Sequence, residues 1–485
     1  MRGRGYVDEY DLVIIGSGSG MNFVDALIQE NPKIRIAVID KDEPGGICLT
    51  RGCIPFKIMV YPAELVRTME DADALGVEAE IKGVNYEKIM KRMRSLIDED
   101  INAIKKGLTS SENIDYFHAT AEFVSPYTFK VGGRTIKGKM IFLGSGSRAI
   151  IPPIKGLDQV RYHTSDSIIR MELRKRPNSI AIIGGGYIAA EFGHFFSAVG
   201  SKVTIIGRNP QFLPEEEPEI SVVAKRDLGR HMTILTGHEV REVEQTPSGM
   251  KRLHVVEKAT GKSKELDADE ILVAAGRGPE TDLLHPERAG VKLTKDGWIE
   301  TDEYLATSQP NVWAFGDADG RYLFRHVANY ESEIVFYNAI RKQKVKVDYH
   351  AIPHAVFTYP EVAGVGLREK EAIERYREAN VLIGFYRYQD TAKGEAMNVR
   401  DYFVKVVLAR DPMKILGAHV VGPHASILIQ EIINLMYTSD QSAQPMLDAI
   451  HIHPSLSEVV QRAFGSVMSP KEYHHVLGHY ELGAA

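Results

Sequence analysis

The chain has 485 residues, 44% of them hydrophobic and 26% charged, a balance ordinary for a globular protein of about three domains. Its net charge of −6 gives no electrostatic reason to expect nucleic acid or a membrane surface as partner, and apolar runs such as Leu12–Ile15 and Ile180–Ile183 fall far short of the ~20 residues a spanning helix needs. Met1-Arg-Gly-Arg-Gly-Tyr6 carries no apolar segment, which argues against a secretory signal, and two cysteines without further framework suit a reducing cytoplasm.

Residues 11–40 read as strand, glycine turn, helix and strand. Asp11–Ile15 is the short apolar run of a buried parallel strand, and Ile34–Ile39 is the second strand. Between them lies Gly16-Ser-Gly18-Ser-Gly20-Met21. Gly16 permits the tight turn and Gly18 lets the backbone approach a pyrophosphate at the helix N-terminus, with Gly20 in the same turn. Asp40, ending the second strand, is placed to accept hydrogen bonds from an adenosine ribose. The third glycine of the G-x-G-x-x-G pattern would fall at Met21, so helix and strand should stand slightly apart there.

Both cysteines lie in Gly45-Gly46-Ile47-Cys48-Leu49-Thr50-Arg51-Gly52-Cys53-Ile54-Pro55-Phe56-Lys57. Two thiols this close form either a dithiol or a disulfide, and that choice stores two electrons. On a regular helix residues five apart point about 140° away from each other, so the Cys48–Cys53 segment is expected to be irregular, with Gly52 supplying the freedom. Pro55 suits the first turn of a helix starting just after it. Two unrelated buried thiols are the plain alternative. Zinc is not expected, and no metal is assigned, because no second Cys or His pair sits at ligand spacing.

Gly-Gly-x-Cys-x4-Cys-x-x-x-Lys resembles the redox motif of the class I pyridine nucleotide–disulfide oxidoreductases, which include dihydrolipoamide dehydrogenase, glutathione reductase, mycothione reductase and mercuric reductase. The resemblance implies an α/β fold with two Rossmann-like nucleotide-binding domains, for FAD and NAD(P), plus a C-terminal α+β dimerisation domain. The expected limits are 1–150 and 277–348 for the FAD domain, 151–276 for the NAD(P) domain and 349–485 for dimerisation. It also implies a redox pair Cys48–Cys53, with Cys48 exchanging with substrate and Cys53 beside the flavin. Gly46 belongs to the cofactor side of the same motif. Lys57, one helical turn after Cys53, would pair with Glu191 near the flavin and lower the Cys53 thiol pKa.

Further along, Phe142-Leu143-Gly144-Ser145-Gly146-Ser147 resembles a flavin-domain turn, which assigns Gly146 to the cofactor. Ser179–Glu191 then repeats the strand and glycine turn as Gly184-Gly185-Gly186-Tyr187-Ile188-Ala189, assigning Gly184, Gly186 and Ala189 to NAD(P)(H). Its second strand, Lys202–Ile206, ends in Gly207-Arg208-Asn209 without the carboxylate that holds a ribose 2′-hydroxyl. Arg208 can pair with a 2′-phosphate, so NADPH is favoured. Glu239–Leu272 reads as short strands around Thr260-Gly261-Lys262. Ala274-Ala-Gly276-Arg277-Gly-Pro279 looks like the return crossing between nucleotide domains, and Asn311–Asp317 like the flavin strand whose Asp317 binds the ribityl chain.

From about residue 350 the pattern becomes Ala355–Phe357, Phe403–Leu408 and Ile415–Val421 as strands, with helices over Ser426–Met436 and Ser457–Phe464. His453-Pro454-Ser455-Leu456-Ser457-Glu458 resembles the family's His-Pro-Thr-x-x-Glu. By that resemblance His453 is the acid–base residue, oriented by Glu458 and acting in the partner subunit of a homodimer. His451 is read as structural, and His474, His475 and His479 as surface residues. Leu456-Ser457-Glu458 resembles the dihydrolipoamide dehydrogenases. Arg325-His326-Val-Ala-Asn329, Met21 and Gly422-Pro423-His424-Ala-Ser426 look more like the mycothione reductases. The expectation is a dihydrolipoamide dehydrogenase-type enzyme acting on a small dithiol or a lipoyl group. An NADPH-dependent reductase of a small disulfide and a diaphorase-type electron-transfer flavoprotein are the alternatives.

Overall fold

The computed structural model describes residues 7–170 and 175–479, so the N-terminal hexapeptide read above lies outside it. The first sheet is organised on the strand Val7–Ile15, which pairs in parallel with Ile36–Asp40 on one side and Arg134–Leu143 on the other. Leu12–Ile15 is buried on both faces, which explains the unbroken apolar run. The strand starts four residues earlier than the apolar run suggests, because Val7–Tyr10 continues the pairing with Thr135–Gly138 while alternating towards solvent. Ile114–His118 extends one edge, Thr128–Val131 and Ala121–Ser125 the other, and Val312–Ala314 returns to pair in parallel with Arg134–Leu143.

The second sheet repeats the device with five parallel strands, in the order Thr233–Leu235, Lys202–Ile206, Ser179–Ile183, Glu270–Val273 and His163–Thr164. The turns are closed alike: Gly16 N–H donates to Ile39 O at 2.8 Å and Gly184 N–H to Ile206 O at 2.9 Å. The region 238–268 forms a three-stranded antiparallel sheet, as the alternation predicts. Ser147–Ala149 and Arg277–Pro279 pair antiparallel, making the passage between the two nucleotide units a two-strand connection.

The C-terminal sheet is antiparallel, in the order Pro353–Val356, Val362–Gly366, Ile415–Val421, Phe403–Ala409, Val381–Arg387 and Val467–Met468. Helix Ala425–Met436 covers one face, packing on Val404, Val406 and Leu408. The other face carries Phe403, Val407 and the fully buried Lys405 towards the second nucleotide unit. Lys405 Nζ lies 2.6 Å from Glu219, 2.7 Å from Glu369 and 3.3 Å from Glu217, a cation holding three buried carboxylates across the domain boundary. Burial alone would raise the Glu219 carboxyl, but Lys405 and the Tyr473 hydroxyl hold it below its ordinary range.

Replacing Lys405 by Met strands those carboxylates in an apolar setting, a loss of about 3–5 kcal/mol for breaking a buried ion cluster from one side. Because the Glu219 pKa is depressed in the folded state, its stabilisation is present above the ordinary carboxylate value and lost as the pH falls below that towards the depressed folded value. Melting curves of wild type and K405M between about pH 3 and 8 test this: the wild type should lose stability on acidification, and K405M should melt lower at pH 8.

Candidate functional site

One cavity of about 1390 Å³ runs from the first glycine turn past the two cysteines to the second. At its first end the chain leaves room only for backbone. Gly16 has φ +91°, and a β-carbon there would lie 2.1 Å from Gly144 O; one on Gly46 would lie 2.7 Å from Gly18 Cα. Ser17 knits this turn together: its hydroxyl accepts from Gly45 N–H at 3.0 Å and donates to Asp40 at 2.6 Å. Asp40 also accepts from Ser17 N–H and Asp42 N–H, so three of its roughly four acceptor positions are used and one remains towards the cavity. Arg325, at the start of helix Arg325–Val335, brings its guanidinium to where Gly18 and Gly46 meet.

Gly18, Gly46, Gly146 and Asp317 all line the cavity. Asp317 is half-buried and desolvation raises its carboxyl, with Ser147 Oγ donating at 2.5 Å. Ser145 Oγ, also on the wall, is buried with no protein partner. A crowded backbone cradle, a cation above it and unfilled hydroxyl and carboxyl positions fit the pyrophosphate and polyol of FAD. Gly20 differs from expectation. It lies off the cavity wall, where a β-carbon would meet Ile14 Cγ2 at 2.9 Å. Ser19–Met21 winds as a single 3₁₀ turn and the α-helix begins only at Val24, so the close helix–strand contact falls on Gly20 and Met21 is tolerated.

The cysteines sit on two helices, Gly46–Arg51 and Cys53–Glu70, broken at Gly52, where a β-carbon would lie 2.8 Å from Ile47 O. Pro55 is inside the first turn of the second helix rather than ahead of it. The two thiols share one proton. Cys48 accepts from the Cys53 thiol and, despite partial burial, is lowered to about 7, helped by Arg325 and by the N–H groups of Ile54 and Cys53. Cys53 moves the other way, pushed up by its hydrogen bond to Cys48 and by burial. Lys57 does pull the Cys53 thiol down, as expected, but the hydrogen bond to Cys48 and desolvation outweigh it, and Glu191, 2.8 Å from Lys57 Nζ, works against it. Glu191 Oε1 also accepts from Phe357 N–H at 2.9 Å, while Lys57 Nζ stands 4.0 Å from the Phe357 ring centroid.

At the far end Gly184, Gly186, Arg208 and Gly276 line the cavity. A β-carbon on Gly184 would lie 2.1 Å from Ala274 O, the counterpart of Gly16 against Gly144. Ala189 is off the wall and fully buried, a packing position of the helix Tyr187–Ala198. Exposed Arg208 has Lys258 Nζ 3.4 Å from its carbonyl oxygen, and no carboxylate ends the strand before it. These features fit a second, anionic dinucleotide.

His453 does not reach this cavity within the chain. Its side chain is 67% exposed, and Nδ1 lies 3.1 and 3.2 Å from the Glu458 oxygens. Glu458 is held below the ordinary carboxylate range by His453 and by Ser455 N–H. Ile450 and Ile452 stand exposed beside it. Among the described residues no group of three or more His, Cys, Asp or Glu could hold a metal ion, and no helix is long and apolar enough to cross a membrane. Sequence reasoning did not assign Ser17, Tyr187, Phe357 or Arg325 to the site; only Arg325, opening a helix just after Gly316-Asp317, carries a positional signal that could have found it.

Comparison with known proteins agrees with this geometry. Residues 10–332 match the family model described as pyridine nucleotide-disulphide oxidoreductase, and residues 352–464 match that family's dimerisation domain. The chain is 34% identical to mycothione reductase of Mycobacterium tuberculosis over 468 residues, covering 94% of this chain and 99% of the relative. It is 33% identical to dihydrolipoyl dehydrogenase of Synechocystis sp. over 476 residues, covering 94% and 98%. The HOCl-induced flavoprotein disulfide reductase RclA of Escherichia coli, in its Cu(II) complex, superposes with a TM-score of 0.83 at 26% identity, over 95% of this chain and 99% of that one. With two glycine-turn cradles meeting at a dithiol, the chain belongs to the pyridine nucleotide–disulphide oxidoreductases, enzymes that use FAD and a pyridine nucleotide.

Proposed function

We propose that this chain is an NADPH-dependent reductase of a low-molecular-weight disulfide, working through Cys48 and Cys53 as a homodimer. The observation that carries the reading is the single cavity in which the dithiol stands between the two nucleotide cradles. FAD at the first cradle supplies two-electron transfer between the pyridine nucleotide and the cysteines. The chain's own residues do the rest. The Cys48 thiolate attacks one sulfur of the substrate disulfide, and the released sulfur takes a proton from His453 of the other subunit. The Cys53 sulfur then attacks Cys48, its proton passing to the second substrate sulfur as that leaves as a thiol, and a Cys48–Cys53 disulfide remains, so the substrate gains the two electrons that the dithiol loses. Glu191 holds the Lys57 ammonium on the cavity wall beside the cysteines, 2.8 Å from its carboxylate. His453 faces outward on the buried Glu458 that orients it, as a residue serving a neighbouring subunit must.

NADPH is favoured by Arg208 with Lys258 behind it, since both offer positive charge where an NAD site would place a carboxylate. A nucleotide suited to reduction directs the enzyme towards disulfide cleavage. The second reading, oxidation of a lipoyl dithiol, is favoured by Leu456-Ser457-Glu458 after His453-Pro454 and by the relatives named dihydrolipoyl dehydrogenase. Turnover of lipoamide beside a panel of small disulfides separates the two: preferred use of lipoamide would overturn the first reading.

Four outcomes are expected. In the reduced enzyme, alkylation of Cys48 by iodoacetamide should rise with pH around a midpoint of about 7, followed by mass spectrometry, with Cys53 reacting later. Cys48→Ser should lose disulfide turnover by a factor on the order of 10³ or more yet keep NADPH–dye reduction, whereas unchanged disulfide turnover would point to a diaphorase. H453Q should slow disulfide turnover by roughly 10²–10⁴, and heterodimers of C48S with H453Q chains should regain activity, because one of their sites then has both Cys48 and the other chain's His453. At the nucleotide end, R208A should lower kcat/KM for NADPH by about tenfold or more while changing that for NADH little, measured by steady-state kinetics.

A further inference from the structure

A histidine from the C-terminal sheet reaches the pyridine-nucleotide end of the cavity and is claimed by neither the redox pair nor the cofactor cradles. His354, on the strand Pro353–Val356, lines the cavity and stacks on Tyr187, the first residue of the helix after the second glycine turn, with centroids 5.5 Å apart and planes 11° from parallel. Phe324 flanks its ring at 6.4 Å and 13°. Its Nε2 lies 2.8 Å from Glu216 Oε1, and the Glu216 side chain has no exposure at all. Glu216 in turn sits on a loop anchored to the glycine turn itself, where Leu213 N–H donates to Gly185 O at 2.9 Å. Turn, loop, carboxylate, imidazole and tyrosine thus form a closed circuit around the entrance to the helix Tyr187–Ala198.

Charge bookkeeping makes this pair more than packing. Lys405 is shared by Glu217, Glu219 and Glu369, so Glu216 turns instead to His354, with His419 and Tyr187 as its other neighbours. Together, His354 foremost, they hold the Glu216 carboxyl below its ordinary range against full burial. Glu216 Oε2 has no hydrogen-bond partner. A buried, half-satisfied carboxylate costs stability, and an apolar pair would fill the same space more favourably. Tyr187, under the imidazole, opens a helix whose N-terminal partial positive charge already favours anions.

We propose that the His354–Glu216 pair positions the pyridine nucleotide: anchored by Glu216, His354 fixes Tyr187 at the second glycine turn, so the C-terminal domain takes part in nucleotide binding. This rests on the assignment of that turn to NADPH. The test is calorimetric titration of the FAD-loaded enzyme with NADP+, for wild type, His354→Phe and Glu216→Gln, with melting temperature and FAD content recorded. H354F keeps a flat ring on Tyr187 but loses the hydrogen bond to Glu216. Both variants should weaken NADP+ about tenfold or more, the size of effect one charge-assisted contact has, with KM for NADPH rising further than kcat falls. An unchanged NADP+ affinity in either folded, FAD-loaded variant overturns the inference, even if its melting temperature drops, since that is what a purely structural pair would give. Should E216Q not fold, H354F and H354Q decide. A wild-type enzyme that binds NAD+ but not NADP+ refutes the cofactor choice above, and the same variants titrated with NAD+ then decide this inference.

Discussion

The chemistry of this chain depends on a steric fact at residue 52. Two helices meet there, and a β-carbon would lie 2.8 Å from the Ile47 carbonyl oxygen, so the break needs glycine. The break turns the start of the second helix towards Cys48, whose sulfur accepts from the Cys53 and Ile54 amides. A continuous helix would satisfy those amides internally and point the two thiols apart. Sulfur proximity, the unequal acidity of the pair and its place midway along the cavity all follow from that interruption.

Around this pair the fold applies one solution twice and then ties both copies down. Each nucleotide unit closes its glycine turn by the same backbone hydrogen bond and presses the first glycine against the carbonyl of a neighbouring strand end, Gly144 in one and Ala274 in the other. The C-terminal sheet does more than complete the shape. Its first strand leads into Phe357, whose N–H holds Glu191, and its central strand carries Lys405 into the carboxylates of the second unit. Domain packing and site assembly are therefore the same set of contacts, which is why buried charge concentrates at this boundary.

The parts written in local pattern were legible in the sequence: both glycine turns, the cysteine segment, the Lys57–Glu191 partnership and the change of pattern near residue 350. Positions whose role depends on distant neighbours were not. Gly20 and Ala189 look like cofactor glycine-motif residues, yet one packs on Ile14 and the other is buried in its helix, because a 3₁₀ turn and helix packing moved them off the wall. Lys405 reads as an ordinary strand lysine until three glutamates from two other segments surround it. Strands Val362–Gly366 and Val381–Arg387 escaped notice because glycines interrupt their alternation at Gly364 and Gly384, where flanking chains pack too closely for a side chain. The acidity order of the thiols was also hidden, since it depends on which sulfur the amides face.

The returning strand Val312–Ala314 has a consequence for biosynthesis. It pairs with Arg134–Leu143 and delivers Asp317 to the first cradle, although the whole second nucleotide unit lies between them in the chain. During translation the first sheet therefore remains open along one edge until residue 314 of 485 has left the ribosome, while the inserted unit, hung from its two-strand connection, can already fold. The flavin cradle therefore closes only after the glycine turn of the inserted unit has been made, although its own first strand is the first to be made.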